Sequence, residues 1–188
     1  IDLLSLSAHK FYAPKGVGAL YVRKGIRLLP LLDGGGQEYG WRSGTQNVAG
    51  LAGMAYALQL CREGQETEQQ RYLSLRAAIT RYLKQKEGVF LTVPDHLALA
   101  THIHFRCNRI EGQVIMQELS RRGIAISTSS ACHARHHQPS HVMLAMGYTE
   151  EEARQAVRIS LGRFVTSQDV EEFLAHLDDV LYTKIGRA

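Results

Sequence analysis

The amino-acid sequence predicts an α/β protein in two parts, on two observations. Short apolar or alternating runs (1–6, 18–22, 89–93, 102–106, 124–126 and 157–161) are interspersed with longer segments whose apolar residues recur at helical spacing. Apolar residues make up 45% of the 188 and charged residues 21%, which is the balance of a chain that buries a core.

The N-terminal run 1–6 reads as a buried strand ending in Ser5, Ser7, His9 and Lys10. A loop punctuated by Pro14, Gly16 and Gly18 leads to the second apolar run, so Lys10 falls at a strand end. Residues 23–44 are loop-like and contain the triplet Gly34-Gly35-Gly36. Three successive glycines suit close backbone approach to a ligand, and equally a flexible connection. Val48, Leu51, Ala52, Ala55 and Leu58 predict a helix over about 47–62, capped by Thr45 or Asn47 and interrupted by Gly64. A second helix is expected over about 67–86, ended by Gly88, with Tyr72, Leu75, Ile79, Tyr82 and Leu83 on one stripe.

Beyond it, 89–93 is a strand and 102–106 alternates as a half-buried strand. His102 and His104 share one face of that strand and are expected to be solvent-exposed rather than metal ligands, since a third ligand is not evident. An amphipathic helix is predicted over 111–122, then a short strand at 124–126. Residues 139–146 suggest a short helix with Pro139 near its start, closed by Gly147. Thr149 with Glu150, Glu151 and Glu152 starts another. Residues 157–161 alternate as a strand with Arg158 and Ser160 on one face, and Ser167 caps a final amphipathic helix to about Leu181.

Two centres carry chemistry. Loops at strand ends hold sites in α/β folds, and a desolvated lysine there offers a nucleophilic amine for a Schiff base. Ser7 and His9 supply donors for an anion. Spacing alone fits Lys10 as a solvated loop lysine as well. Cys132 lies in a small, polar stretch followed by His133, Arg135, His136 and His137, surroundings that favour an exposed thiolate, though local sequence alone fits an unreactive loop cysteine as well. His137 and His141, four apart, could join Cys132 in an adventitious Zn²⁺ or Ni²⁺ site; no physiological metal is expected. Cys61 reads as a packing residue and Cys107 ends its strand without an evident partner.

Four ordered motifs resemble one family. SxSxHKxYxPKGxGALYVR over 5–23, GGGQEYGWRSGTQN over 34–47, SSACHARHHQPS over 129–140 and VRISLGRF over 157–164 are similar to segments of the cysteine desulfurases, fold-type I enzymes of class V that use pyridoxal phosphate (PLP). The resemblance implies that residues 1–66 are the end of the large PLP domain and 67–188 the small C-terminal α/β domain. It implies Lys10 as the lysine that holds the cofactor, with Ser7 and His9 on its phosphate. Thr45 would reach the phosphate held by a neighbouring subunit of a homodimer. Cys132 would be the nucleophile that takes sulfur from L-cysteine as a persulfide, and Arg158 the guanidinium on the substrate carboxylate.

The implied activity is conversion of L-cysteine to L-alanine, with sulfur passed to an acceptor protein for iron–sulfur cluster assembly or thiolation. The run from Cys132 to Ser140 resembles the long-loop group, but histidines stand where serines and other small residues are expected. A selenocysteine or cystine lyase, or a non-catalytic docking or dimerisation fragment, are the other readings. The first residue falls inside a strand pattern, so the chain is expected to be the C-terminal part of a longer protein that binds PLP weakly or not at all by itself.

The net charge of +4 is mild and scattered, which does not point to nucleic acid. No run of about 18 apolar residues is present, so no membrane span is expected. Three cysteines without a CxxC pair suit a reducing cytoplasm better than a disulfide framework.

Overall fold

Strand alternation and helix periodicity are realised in two units, residues 1–66 and 67–188. The structure is a computed structural model that describes residues 1–128 and 139–185.

In the first unit, strands β1 (Leu3–Ser7) and β2 (Gly18–Val22) pair antiparallel, with Leu3 opposite Val22 and Ser7 opposite Gly18. The close approach explains Gly18. A Cβ there would lie 2.5 Å from the Leu6 carbonyl oxygen, well inside van der Waals contact. The expectation that the first strand is buried is not met within this unit. Leu3, Leu4, Leu6, Leu20 and Tyr21 are all exposed, because no second layer of the unit covers the two-stranded ribbon. Helix α1 (Val48–Glu63) starts as the sequence suggests, with the Asn47 side chain accepting from Gly50 N–H and Gly64 at its end.

In the second unit, α2 (Gln65–Lys84), β3 (Val89–Leu91), β4 (His102–Cys107) and α3 (Gly112–Ser120) are followed by β5 (Ser127–Thr128). Then come α4 (His141–Ala145), α5 (Glu150–Arg154), β6 (Ala156–Ser160) and α6 (Ser167–Ile185). The sheet is antiparallel throughout, in the order β3-β4-β6-β5. Its inner face carries Ile103, Phe105, Cys107, Val157 and Ile159. These pack with Leu75, Ile79 and Leu83 of α2, Ile115 and Leu119 of α3, and Phe173, Leu177 and Val180 of α6. Burial of each such side chain stabilises by roughly 1.5–3 kcal/mol before chain entropy is counted.

Two local readings are corrected. The short strand falls at Ser127–Thr128, not 124–126. Ile124 and Ile126 pack against the core, while the backbone pairs with β6 only from Ser127 onward. Helix α4 follows Pro139 as expected, with Ser140 as its cap, the hydroxyl accepting from Met143 N–H. The last helix is capped by Thr166 rather than Ser167: Thr166 Oγ1 accepts from Asp169 N–H, and the Asp169 carboxylate accepts from Thr166 N–H at 2.7 Å. Thr149 and Glu152 form the reciprocal capping box expected of them.

Two contacts fix β6. Gly112 begins α3 against it, and a Cβ there would lie 2.3 Å from the Ala156 carbonyl oxygen. The turn after β6 exposes carbonyls that Arg71 of α2 gathers: its guanidinium donates to Gly162, Arg163 and Val165 while pairing with Glu68 at 2.8 Å. Arg71→Met should therefore lower unfolding free energy by about 1–3 kcal/mol, since it strands partly buried carbonyls. A shift in the urea midpoint at unchanged slope checks it, and Gly112→Ala should destabilise comparably by forcing α3 off β6.

Candidate active-site residues and the family of the chain

Lys10 is placed by packing beneath it. After β1 the chain makes one 3₁₀ turn, Ala8–Phe11, and leaves it through Tyr12 in the left-handed region at φ 70°. Ala8 is fully buried and anchors the turn, its N–H donating to Val17 and its carbonyl accepting from Ala13 N–H. From the other side α1 holds the loop. Pro14 lies over Gly53, where a Cβ would approach the proline ring to 3.0 Å, and the Cys61 thiol reaches the Phe11 carbonyl at 3.8 Å. Cys61 is thus the packing residue it was expected to be.

Ser7, His9 and Lys10 share this strand end and turn, and all three are exposed. Residues 1–66 alone do not desolvate the amine. The donor set suits a phosphorylated aldehyde cofactor such as PLP: a hydroxyl and an imidazole for the phosphate, and a free primary amine for the aldehyde. Thr45 is exposed on a separate loop of the same unit, just before α1. That loop is shaped by Gln37, whose amide oxygen accepts from Gly44 N–H at 2.9 Å, and by Ser43, which accepts from Gly36 N–H.

Arg158 sits on the outer face of the second unit's sheet. It lies opposite His104 of β4 and Ser127 of β5. Thr92 extends the same row, its N–H donating to the His104 carbonyl at 3.1 Å. Among the described residues no carboxylate pairs with Arg158, and its Nε is buried without a hydrogen-bond partner. By contrast, Arg106 one row along is fully engaged, paired with Glu152 at 3.0 Å and stacked 4.5 Å over Phe90. An arginine without a carboxylate partner among the described residues is suited to an external anion.

His104 corrects the expectation that both strand histidines are solvent-exposed. His102 is exposed, but His104 is largely buried with its Nδ1 2.6 Å from Thr92 Oγ1. Burial, assisted by the Arg158 charge, lowers its pKa to about 4, and His102 is lowered by the same two causes. Sequence reasoning saw the His102/His104 alternation but not the β4–β6 register that sets His104 beside Arg158. Cys107 is buried in the core, and burial pushes its thiol up to about 12, which makes it inert. Cys132, His133, His136 and His137 lie outside the described residues. His141 opens α4, and no group of three metal-ligating side chains occurs among the described residues.

The aminotransferase class-V family model matches residues 1–173. The chain belongs to that family. It is 40% identical over 182 residues to a cysteine desulfurase IscS of Dictyoglomus turgidum, a match covering 96% of this chain and 46% of the relative. It is 43% identical over 183 residues to a cysteine desulfurase of Bradyrhizobium diazoefficiens, again covering 96% and 46%. The solved structure of a NifS-like protein superposes with a TM-score of 0.87 at 36% identity, covering 97% of this chain and 47% of that one. A NifS-like protein from Rickettsia africae gives the same TM-score at 27% identity, covering 96% and 47%. The fold of this class-V chain is therefore α/β of fold type I. The chain spans about half the length of the curated relatives it matches.

The buried, neutral His104 has a thermodynamic consequence. Its pKa is about 4 folded and near 6.5 unfolded, so between these values the unfolded chain binds a proton that the folded chain does not. Stability is fully present above about pH 6.5 and is lost as pH falls toward 4, by up to about 3 kcal/mol. His102 acts in the same direction. Urea titrations at several pH values should show this slope, and His104→Gln should flatten it relative to wild type.

Proposed function

We infer that this chain contributes the lysine, the sulfur-carrying cysteine and the carboxylate-binding arginine of a PLP-dependent cysteine desulfurase. The observation that carries this reading is the pair of strand-borne groups left open for ligands. One is an exposed primary amine flanked by phosphate donors at the end of β1. The other is an arginine on β6 without a carboxylate partner among the described residues. Relatives named cysteine desulfurase at about this level of identity support it, as does a cysteine complex of the solved structure of SspA, 36% identical with a TM-score of 0.64.

PLP, when bound, supplies the electron sink that stabilises charge at the substrate Cα. Ser7 and His9 would hold its phosphate and Lys10 its aldehyde carbon, and the Lys10 amine would move a proton at the substrate Cα. Arg158 orients the substrate through its α-carboxylate, where the planar fork matches two oxygens. The Cys132 thiolate attacks the substrate sulfur. The substrate Cβ–S bond breaks as the new S–S bond forms, the bonding pair remains with Cβ, and a proton completes the methyl group of L-alanine. L-cysteine and the Cys132 thiol thus become L-alanine and a Cys132 persulfide, with atoms balanced. The terminal sulfur then passes to an acceptor protein of iron–sulfur assembly or thiolation. The reading includes a cytoplasmic homodimer in which Thr45 serves the partner's cofactor phosphate. The uncovered apolar faces of β1 and β2 support a further protein layer in the active assembly.

Absorbance spectra with added PLP test the reading. With a complementing N-terminal half of a desulfurase, this chain should give a band at the violet edge of the visible that L-cysteine perturbs. Lys10→Ala should abolish the band. Cys132→Ala should keep it while alanine production from L-cysteine falls by about 10² or more. Alanine released from selenocysteine, or pyruvate and ammonia from cystine, with no alanine from L-cysteine, would overturn the desulfurase reading in favour of a lyase.

A further inference from the structure

We propose that His104, locked by Thr92, is a positioning residue that orients the guanidinium of Arg158 for an incoming α-carboxylate. This deepens, and rests on, the reading of Arg158 as the carboxylate anchor.

The single hydroxyl hydrogen of Thr92 has an acceptor in the His104 carbonyl oxygen at 3.1 Å. The same Oγ1 lies 2.6 Å from His104 Nδ1, a contact whose direction depends on the imidazole tautomer; with the hydroxyl hydrogen on the carbonyl, we assign the ring hydrogen to Nδ1. Thr92 is itself fixed, 5% exposed, its N–H on the His104 carbonyl and its carbonyl accepting from the Tyr148 hydroxyl at 2.9 Å. The ring is therefore clamped in one tautomer, with the Nε2 lone pair unprotonated.

Arg158 is the direct cross-strand partner of His104. Paired positions place their side chains on one face with Cβ atoms about 5 Å apart. No carboxylate pairs with the guanidinium among the described residues, and its Nε is buried and unpartnered. An ion pair thus does not set its direction. It is bordered on the sheet by His104, by Ser127 across β5, by Ser160 with His102 in one adjacent row, and in the other by Arg106, whose charge is already paired with Glu152. A clamped imidazole with a free lone pair restricts the guanidinium without neutralising it. A carboxylate in that position would compete with the substrate.

The test compares His104→Leu, Thr92→Val and His104→Gln with wild type. Thr92→Val removes only the hydroxyl clamp at nearly constant shape. His104→Gln restores a polar amide at the level of Nε2. In nitrogen-15 NMR of the 188-residue chain, His104 should show the Nδ1–H tautomer at neutral pH, and hydrogen exchange at Arg158 Nε should quicken about tenfold in the Leu and Val variants. In the active assembly, KM for L-cysteine should rise about tenfold in both with kcat changed less than about twofold, while His104→Gln stays within about threefold of wild type. Adding His104→Leu to Arg158→Ala should change KM no further.

Unchanged KM and unchanged Arg158 exchange in Thr92→Val and His104→Leu would overturn the positioning role while leaving the anchor reading intact, provided Arg158→Ala itself raises KM. Unchanged KM in Arg158→Ala would overturn the anchor reading and this proposal with it.

Discussion

The antiparallel pairing of β4 with β6 is the constraint on which the second unit depends. Because a strand's side chains alternate, this one ladder settles two things together. Phe105 opposite Val157 and Ile103 opposite Ile159 enter the core, and His104 opposite Arg158 is placed on the other face. A slip of one residue would drive Arg158 inward and Ile159 outward. The burial of four large apolar side chains therefore enforces the register of the polar row. Gly112, touching the Ala156 carbonyl, and Arg71, collecting the carbonyls after β6, hold the same strand at its two ends.

The first unit solves placement differently. Its two-stranded ribbon has no enclosed core, and only Ala8, Gly50, Met54 and Ala57 are buried. The Lys10 turn is held instead by local geometry: a left-handed Tyr12, a proline seated over a glycine of α1, and short backbone bonds closing the loop. Such contacts fix where a side chain begins but do little to exclude water around it. The exposed amine of Lys10 and the exposed apolar faces of β1 and β2 are two aspects of the same thinness.

Much of this was legible in the residues. The strand that ends at Lys10, the Asn47 cap, the Thr149–Glu152 capping box and the alternation that sets Arg158 apart from Ile159 are all local patterns, and local patterns survive without knowledge of the partner strands. The family resemblance likewise rests on contiguous motifs. What escaped depends on distant pairing. Nothing near His104 announces that Arg158 will lie beside it, or that Thr92 will reach its ring. Ser167 reads as the cap, whereas the reciprocal bonds run between Thr166 and Asp169. The burial of the first strand failed for the converse reason: an apolar run states what a segment requires, not that its own unit provides it.

The surroundings of Arg158 make sense as a compromise between two costs. A buried N–H without a partner costs on the order of 1–3 kcal/mol, so the bare Nε is an expense in the free protein that a bound carboxylate can relieve. An aspartate or glutamate in the row would relieve it too, and would then compete with any incoming anion. Apolar neighbours would avoid that competition but leave the guanidinium free among its rotamers. A buried imidazole that stays neutral through the ordinary pH range supplies direction without countercharge. The same burial that keeps it neutral is what makes the unit less stable in acid, so readiness for an anion and sensitivity to acid arise from one packing arrangement.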